Sequence, residues 1–179
     1  MRTTILLGGL LLALHSPAAA QSNGSGFGLG HTDIGPTVGL GGIGSAGLSL
    51  GARFERAIKY LPNLGKGTLG IQVGADYYHY SDSFGATNYG FTFIPIGATL
   101  NYHVHLNDGK FDPFVGAGLG YAIFSSSFTG TGGAGGGIYF IGRAGLRYFV
   151  SNGMALYGEV GAGAATINAG MMFRMGKAQ

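Results

Sequence analysis

His79-Tyr80-Ser81 sets an imidazole and a hydroxyl two residues apart, with the carboxylate of Asp82 beside them. A hydrolase is assembled from such parts, because it needs a base beside its nucleophile and an acid to orient the base. Residues two apart on a strand share a face, so the first pairing is possible. No Glu follows closely, however, and Asp82 is the only near carboxylate. His103 and His105 share a face in the same way and could bind a metal, but two imidazoles do not make a site and no further ligand is identifiable. Gly39-x-Gly41-x-x-Gly44 matches a dinucleotide fingerprint in its letters and lacks the helix that should follow. Each of these sets is incomplete, so the expectation is a protein without enzymatic activity, cofactor or metal. The constellation that remains is ionic: Arg53, Glu55, Asp76, Arg143, Arg147, Glu159 and Arg174.

The elements that would hold these residues are strands. In Phe111 to Phe124 the odd positions Val115, Ala117, Leu119, Tyr121 and Ile123 are apolar, while Gly116, Gly118, Gly120 and Ala122 alternate with them. A period of two marks a strand with two different faces. Glycine is a poor strand former, so a strand with three on one face needs space there. The pattern reads as one stave of a closed barrel, bulky outside and thin inside.

Composition agrees. Of 179 residues, 9% are charged, 12% aromatic and 38 are Gly, and mean hydropathy is +0.29. A soluble domain carries about 25% charged residues. An apolar, aromatic, charge-poor chain suits a sheet whose outside meets lipid. The formal charge of +3 comes from scattered basic residues, so no nucleic-acid partner is expected. The absence of Cys leaves no disulfide to build on. At the start, Arg2, the apolar run Ile5 to Leu14 and the small residues Ser16-Pro17-Ala18-Ala19-Ala20 form a secretory signal peptide over 1–20, with the barrel domain over 21–179.

Gln21 to His31 reads as a loose lead-in, followed by eight strands at 34–43, 47–59, 68–80, 89–105, 113–124, 138–150, 154–163 and 166–175. Leu61 to Gly65, Asn107-Asp108-Gly109 and Ser151-Asn152-Gly153 read as compact turns on one side. Ser81 to Asn88 and Ser125 to Gly137 read as longer, flexible loops on the other. In the second, third, fourth, sixth, seventh and eighth strands the apolar residues share one parity: Leu50 and Phe54, Ile71 and Val73, Ile96 and Leu100, Phe140 and Leu146, Leu156 and Val160, Met171 and Phe173. The seven ionic residues take the other parity, four cations against three anions. That near-balance suits a narrow lumen, where an unpaired charge costs several kcal/mol. The polar face is too poor in charge to be a solvent surface. Tyr60, Tyr77, Tyr102, Tyr121 and Tyr148 sit near strand ends, as an interfacial girdle would. Arginine placed outward at Leu100 is therefore expected to impair insertion, and arginine placed inward at Asn101 to be milder if the lumen has space.

The signal peptide, Pro113-Phe114-Val115-Gly116-Ala117-Gly118-Leu119-Gly120-Tyr121 and the closing strand Asn168 to Arg174 resemble the small outer-membrane β-barrels of Gram-negative bacteria, the OmpA transmembrane-domain, OmpX and OmpW-like group. The resemblance implies an all-β, eight-stranded antiparallel up-and-down transmembrane β-barrel in the cell outer membrane. It implies outer-membrane lipid, lipopolysaccharide and the barrel-assembly machinery as partners, and a monomer is expected. A structural or surface-interaction role in the envelope follows, with the seven ions as structural salt bridges in the lumen. Three alternatives stay open. One is a narrow channel or conduit for small ions or hydrophobic compounds. Another is a lipid-modifying enzyme, since His79-Tyr80-Ser81 resembles the His-x-Ser of outer-membrane lipid A deacylases. The last is a soluble periplasmic ligand-binding barrel.

Overall fold

The computed structural model describes residues 26–41, 47–84, 87–128 and 131–175. The expected signal peptide, and Gly44 of the glycine motif, lie outside them. Eight strands form: β1 (Thr32–Leu40), β2 (Leu48–Leu61), β3 (Gly67–Phe84), β4 (Thr87–His103), β5 (Phe111–Phe128), β6 (Thr131–Ser151), β7 (Met154–Ala162) and β8 (Ile167–Arg174). Each pairs antiparallel with the next, and β1 pairs with β8, so the sheet closes into an up-and-down barrel. The compact turns sit where the sequence puts them. Gly65 and Gly109 supply the left-handed backbone there, at φ 67° and 62°.

Parity decides which residues face in. Leu50, Phe54, Ile71, Val73, Leu100, Leu146, Leu156 and Val160 point outward and are exposed, while Arg53, Glu55, Gln72, Asn101, Arg147 and Glu159 are buried inside. The contrast is sharpest on β6, where Phe140 is 82% exposed and Arg147 0%. Glycine makes the space this requires. A side chain at Gly116 would collide with Asn101, at Gly118 with the Thr99 backbone, and at Gly120 with the Tyr139 ring. Gly116 and Gly120 let large lumen groups from β4 and β6 fold across the face of β5, and Gly118 lets the β4 backbone approach closely.

Two expectations are corrected. The stretches 81–88 and 125–137 are not long loops. Ser81 to Phe84 pairs with Thr87 to Gly90, and Ser125 to Phe128 pairs with Thr131 to Ala134. They extend two hairpins into a wall that rises above its neighbours: β7 reaches only as far as Gly142 on β6, and β2 only as far as Tyr78 on β3. The lead-in is not loose either over residues 26–31. The backbone N–H of Ala57 donates to the His31 carbonyl, and Phe27 is 0% exposed inside the barrel.

Candidate functional site

All seven ionic residues predicted from sequence face the lumen or its lower rim, and the structure joins them to partners the sequence reading did not include. Glu55 is the hub. It accepts from Gln72 Nε2 at 3.0 Å, Asn101 Nδ2 at 3.0 Å and His103 Nε2 at 2.8 Å, and it pairs with Arg147. Arg147 reaches on to Asp33 at 3.0 Å, which also meets Arg174 at 3.3 Å. Gln72 couples this half to the next, because its Oε1 accepts from Arg143 at 2.6 Å. Arg143 then pairs with Glu159 at 2.9 Å, and Arg53 holds Asp76 by two hydrogen bonds of 3.0 and 2.9 Å. One polar network therefore runs through the middle of the barrel.

Asp33 and Asp112 complete it. Asp112 Oδ2 lies 2.9 Å from His103 Nδ1. With them the lumen holds four arginines against five carboxylates, and His103 sits between two of the latter. Carboxylates only accept, so hydrogen bonds at both ring nitrogens require an imidazolium that donates to each. That proton makes the charges equal. His105 does not join His103: it pairs with the Thr68 hydroxyl at 2.8 Å. Among the described residues no group of three or more His, Cys, Asp or Glu is placed to hold a metal ion.

Aromatic rings close the lower end. The Phe27 ring lies 4.4 Å from His103 and 4.7 Å from the Arg147 guanidinium, and Phe114 stacks on His103 at 5.1 Å. Arg174 donates to the Gly26 carbonyl at 3.3 Å, fastening the inserted segment. His31 shapes it: the Gly28 N–H donates to Nδ1 at 2.9 Å. That bond requires the neutral ring. Burial first, and Arg174 next, hold the His31 pKa below its ordinary value against the opposing pull of Asp33 and Asp112. The stability this contributes is present above the ordinary imidazole pKa and is lost as pH falls through the lowered one. The expected result is that a His31→Phe variant, compared with wild type by denaturant midpoint, loses less stability than wild type on going from neutral to mildly acid pH.

The lumen leaves little free space. A cavity of about 30 Å³ lies at the upper part of the network, lined by Arg53, Asp76, Tyr139, Arg143, Glu159 and Asn168. Such a volume holds about two water molecules. Above it the Tyr78 hydroxyl donates to the Ala164 carbonyl at 2.9 Å, tying the β7–β8 turn across the mouth. Asn101 is fully buried against Glu55, so the space on which a milder effect of arginine there depends is absent. The His79-Ser81 pair points outward as parity requires, and His79 Nδ1 lies 3.1 Å from the Thr92 hydroxyl instead of Ser81.

No protein-family model matches the chain, and no curated protein sequence matches it. Solved structures do. The N-terminal β-barrel domain of Pseudomonas aeruginosa OprF superposes with TM-score 0.57 at 13% identity, over 82% of this chain and 98% of that one. Ail, the attachment invasion locus protein of Yersinia pestis, solved with the heparin analogue sucrose octasulfate, gives TM-score 0.51 at 10% identity over 80% and 93%. Neisserial surface protein A gives TM-score 0.50 at 17% identity over 81% and 95%. Likeness at these identities is likeness of fold. With its closed antiparallel sheet, apolar exterior and ionic interior, the chain has the fold of the small eight-stranded outer-membrane β-barrels.

Proposed function

We propose that the chain is an integral outer-membrane protein with a structural or surface-interaction role in the cell envelope, and that it works through its outer surface, not through its lumen. The observation that carries this reading is the sealed interior. An eight-stranded barrel is just wide enough for side chains to fill. Here Phe27, Arg147, Glu55 and His103 fill the lower end without exposed surface. The apolar exterior, belted by Tyr60 and Tyr148 below and Tyr77 and Tyr121 above, supports the membrane setting. Lipid and lipopolysaccharide would surround a monomer inserted by the barrel-assembly machinery. The polar network serves as structural ion pairing. Among the described residues no completed catalytic set supports an enzyme.

Purified protein in planar bilayers is expected to show no steady conductance. Steady openings abolished by Arg143→Ala or Glu159→Ala would turn the reading to a narrow channel. Recovery of the native protein in the soluble fraction, instead of the membrane fraction, would turn it to a soluble periplasmic barrel.

A further inference from the structure

The tall wall reverses its polarity part of the way up. Lower down, its outward side is apolar through Tyr77, Ile94, Ile123 and Ile138, and its inward side carries Gln72, Asp76, Thr99 and Arg143. One step higher the outward side turns to His79, Thr92 and Ser125. From Tyr78 and Phe93 upward the inward side is aromatic, continuing through Tyr80, Phe91, Phe124 and Tyr89. A wall standing in hydrocarbon keeps its apolar side out, so the reversal marks where the sheet leaves the membrane. Among the described residues no strand faces the aromatic side across the barrel above that level, because β7 and β2 end below it.

We propose that this inner aromatic face is a binding site for a neutral glycan on the outside of the cell, an inference that rests on the outer-membrane reading above. Charge narrows the occupant first. At the inward register positions Tyr78, Tyr80, Tyr89, Phe91, Phe93, Phe124, Ser126 and Tyr139 no residue is charged, and the sequence has no Lys or Arg between Lys66 and Lys110 or between Lys110 and Arg143. The arginines of the lumen are held by Asp76 and Glu159 below. A sulfated or phosphorylated ligand therefore meets no cation, and an uncharged one loses nothing.

Shape narrows it further. Phe91 lies nearly parallel to Phe93 (14°) and to Phe124 (22°), at 6.5 Å in both cases, so the three rings form an aligned aromatic row. The row is wet on its open side, with Phe124 39% exposed. Beneath it, Tyr78 packed on Ala165 and bonded to Ala164 closes the floor, so an acyl chain cannot run down into the barrel. The occupant must be apolar on the side that lies on the rings and hydrophilic on the side left in water. A sugar ring, with a C–H face and a rim of hydroxyls, meets both conditions. Gly133 and Gly137 leave space beside the rings on β6, where the nearest atom to an added Cβ at Gly133 is Ser126 Oγ at 3.9 Å and Gly137 has nothing within 4 Å.

The test uses the full-length barrel folded in detergent on an array of immobilised glycans that carries neutral oligosaccharides and sulfated forms of the same backbones. Retention of neutral glycans is expected, with at least tenfold weaker binding by Phe91→Ala and by Phe124→Ala. Phe140→Ala, on the outward side, should bind as wild type does. Folding of each variant is checked by the shift in gel migration on boiling. No retained neutral glycan, equal or tighter binding of the sulfated forms, or unchanged binding by both aromatic-row variants would each overturn the proposal. Because the array needs no membrane, a failure there is separate from a failure of the membrane reading, which fractionation decides.

Discussion

Glu55→Ala is expected to destabilise the barrel by about 3–5 kcal/mol, the range for removing one partner of a buried ion pair. Four donors converge on this carboxylate, from Gln72, Asn101, His103 and Arg147. Removing it leaves the fully buried Arg147 with Asp33 as its remaining carboxylate contact, and His103 with Asp112 alone. Glu55→Gln should cost less, since the amide oxygen still accepts two of the four hydrogen bonds while the charge is lost. The double variant Glu55→Leu, Arg147→Met should regain much of the loss, because both desolvated charges leave together. Reversible urea unfolding in lipid vesicles reads all three. Single variants that unfold at the wild-type midpoint would mean that the charges are hydrated and the network is not coupled.

The faces of this barrel were legible because lumen and exterior differ in residue type at every second position. Leu100 and Asn101, or Leu146 and Arg147, state the period outright. The upper hairpin of β5 and β6 was not legible. Thr131 to Gly137 is almost entirely glycine, and a period carried by side chains cannot show where there are none. Its strand conformation is imposed by pairing with Phe124, Ser125 and Ser126. Asp33 and Asp112 were missed for a smaller reason. Each stands just outside a strand predicted to begin at 34 or 113, although Asp33 shares the inward parity of Gly35 and Thr37. Phe27 carried no local signal, since one aromatic residue in a Gly/Ser run has no period. What draws it in is tertiary: its ring covers the Arg147 guanidinium and the His103 ring at the lower end of the lumen.

Leu100→Arg carries the second large effect and tests where the barrel lives. Leu100 is 51% exposed on the outward side, between Tyr102 below and Ile96 above. Arginine facing lipid in a transmembrane barrel costs about 2–4 kcal/mol at the midplane and less toward either interface. The same substitution on a barrel surrounded by water would fall within about 0.5 kcal/mol of zero. Leu100→Phe should be tolerated in lipid, because the apolar contact is kept. Asn101→Leu, one residue on and facing in, should instead cost about 1–3 kcal/mol by removing a donor from Glu55. Folding each variant into vesicles and measuring its urea midpoint separates the cases. A Leu100→Arg barrel as stable as wild type, beside a destabilised Asn101→Leu barrel, would show a sealed polar core with water outside it and would remove the ground for a membrane-embedded wall.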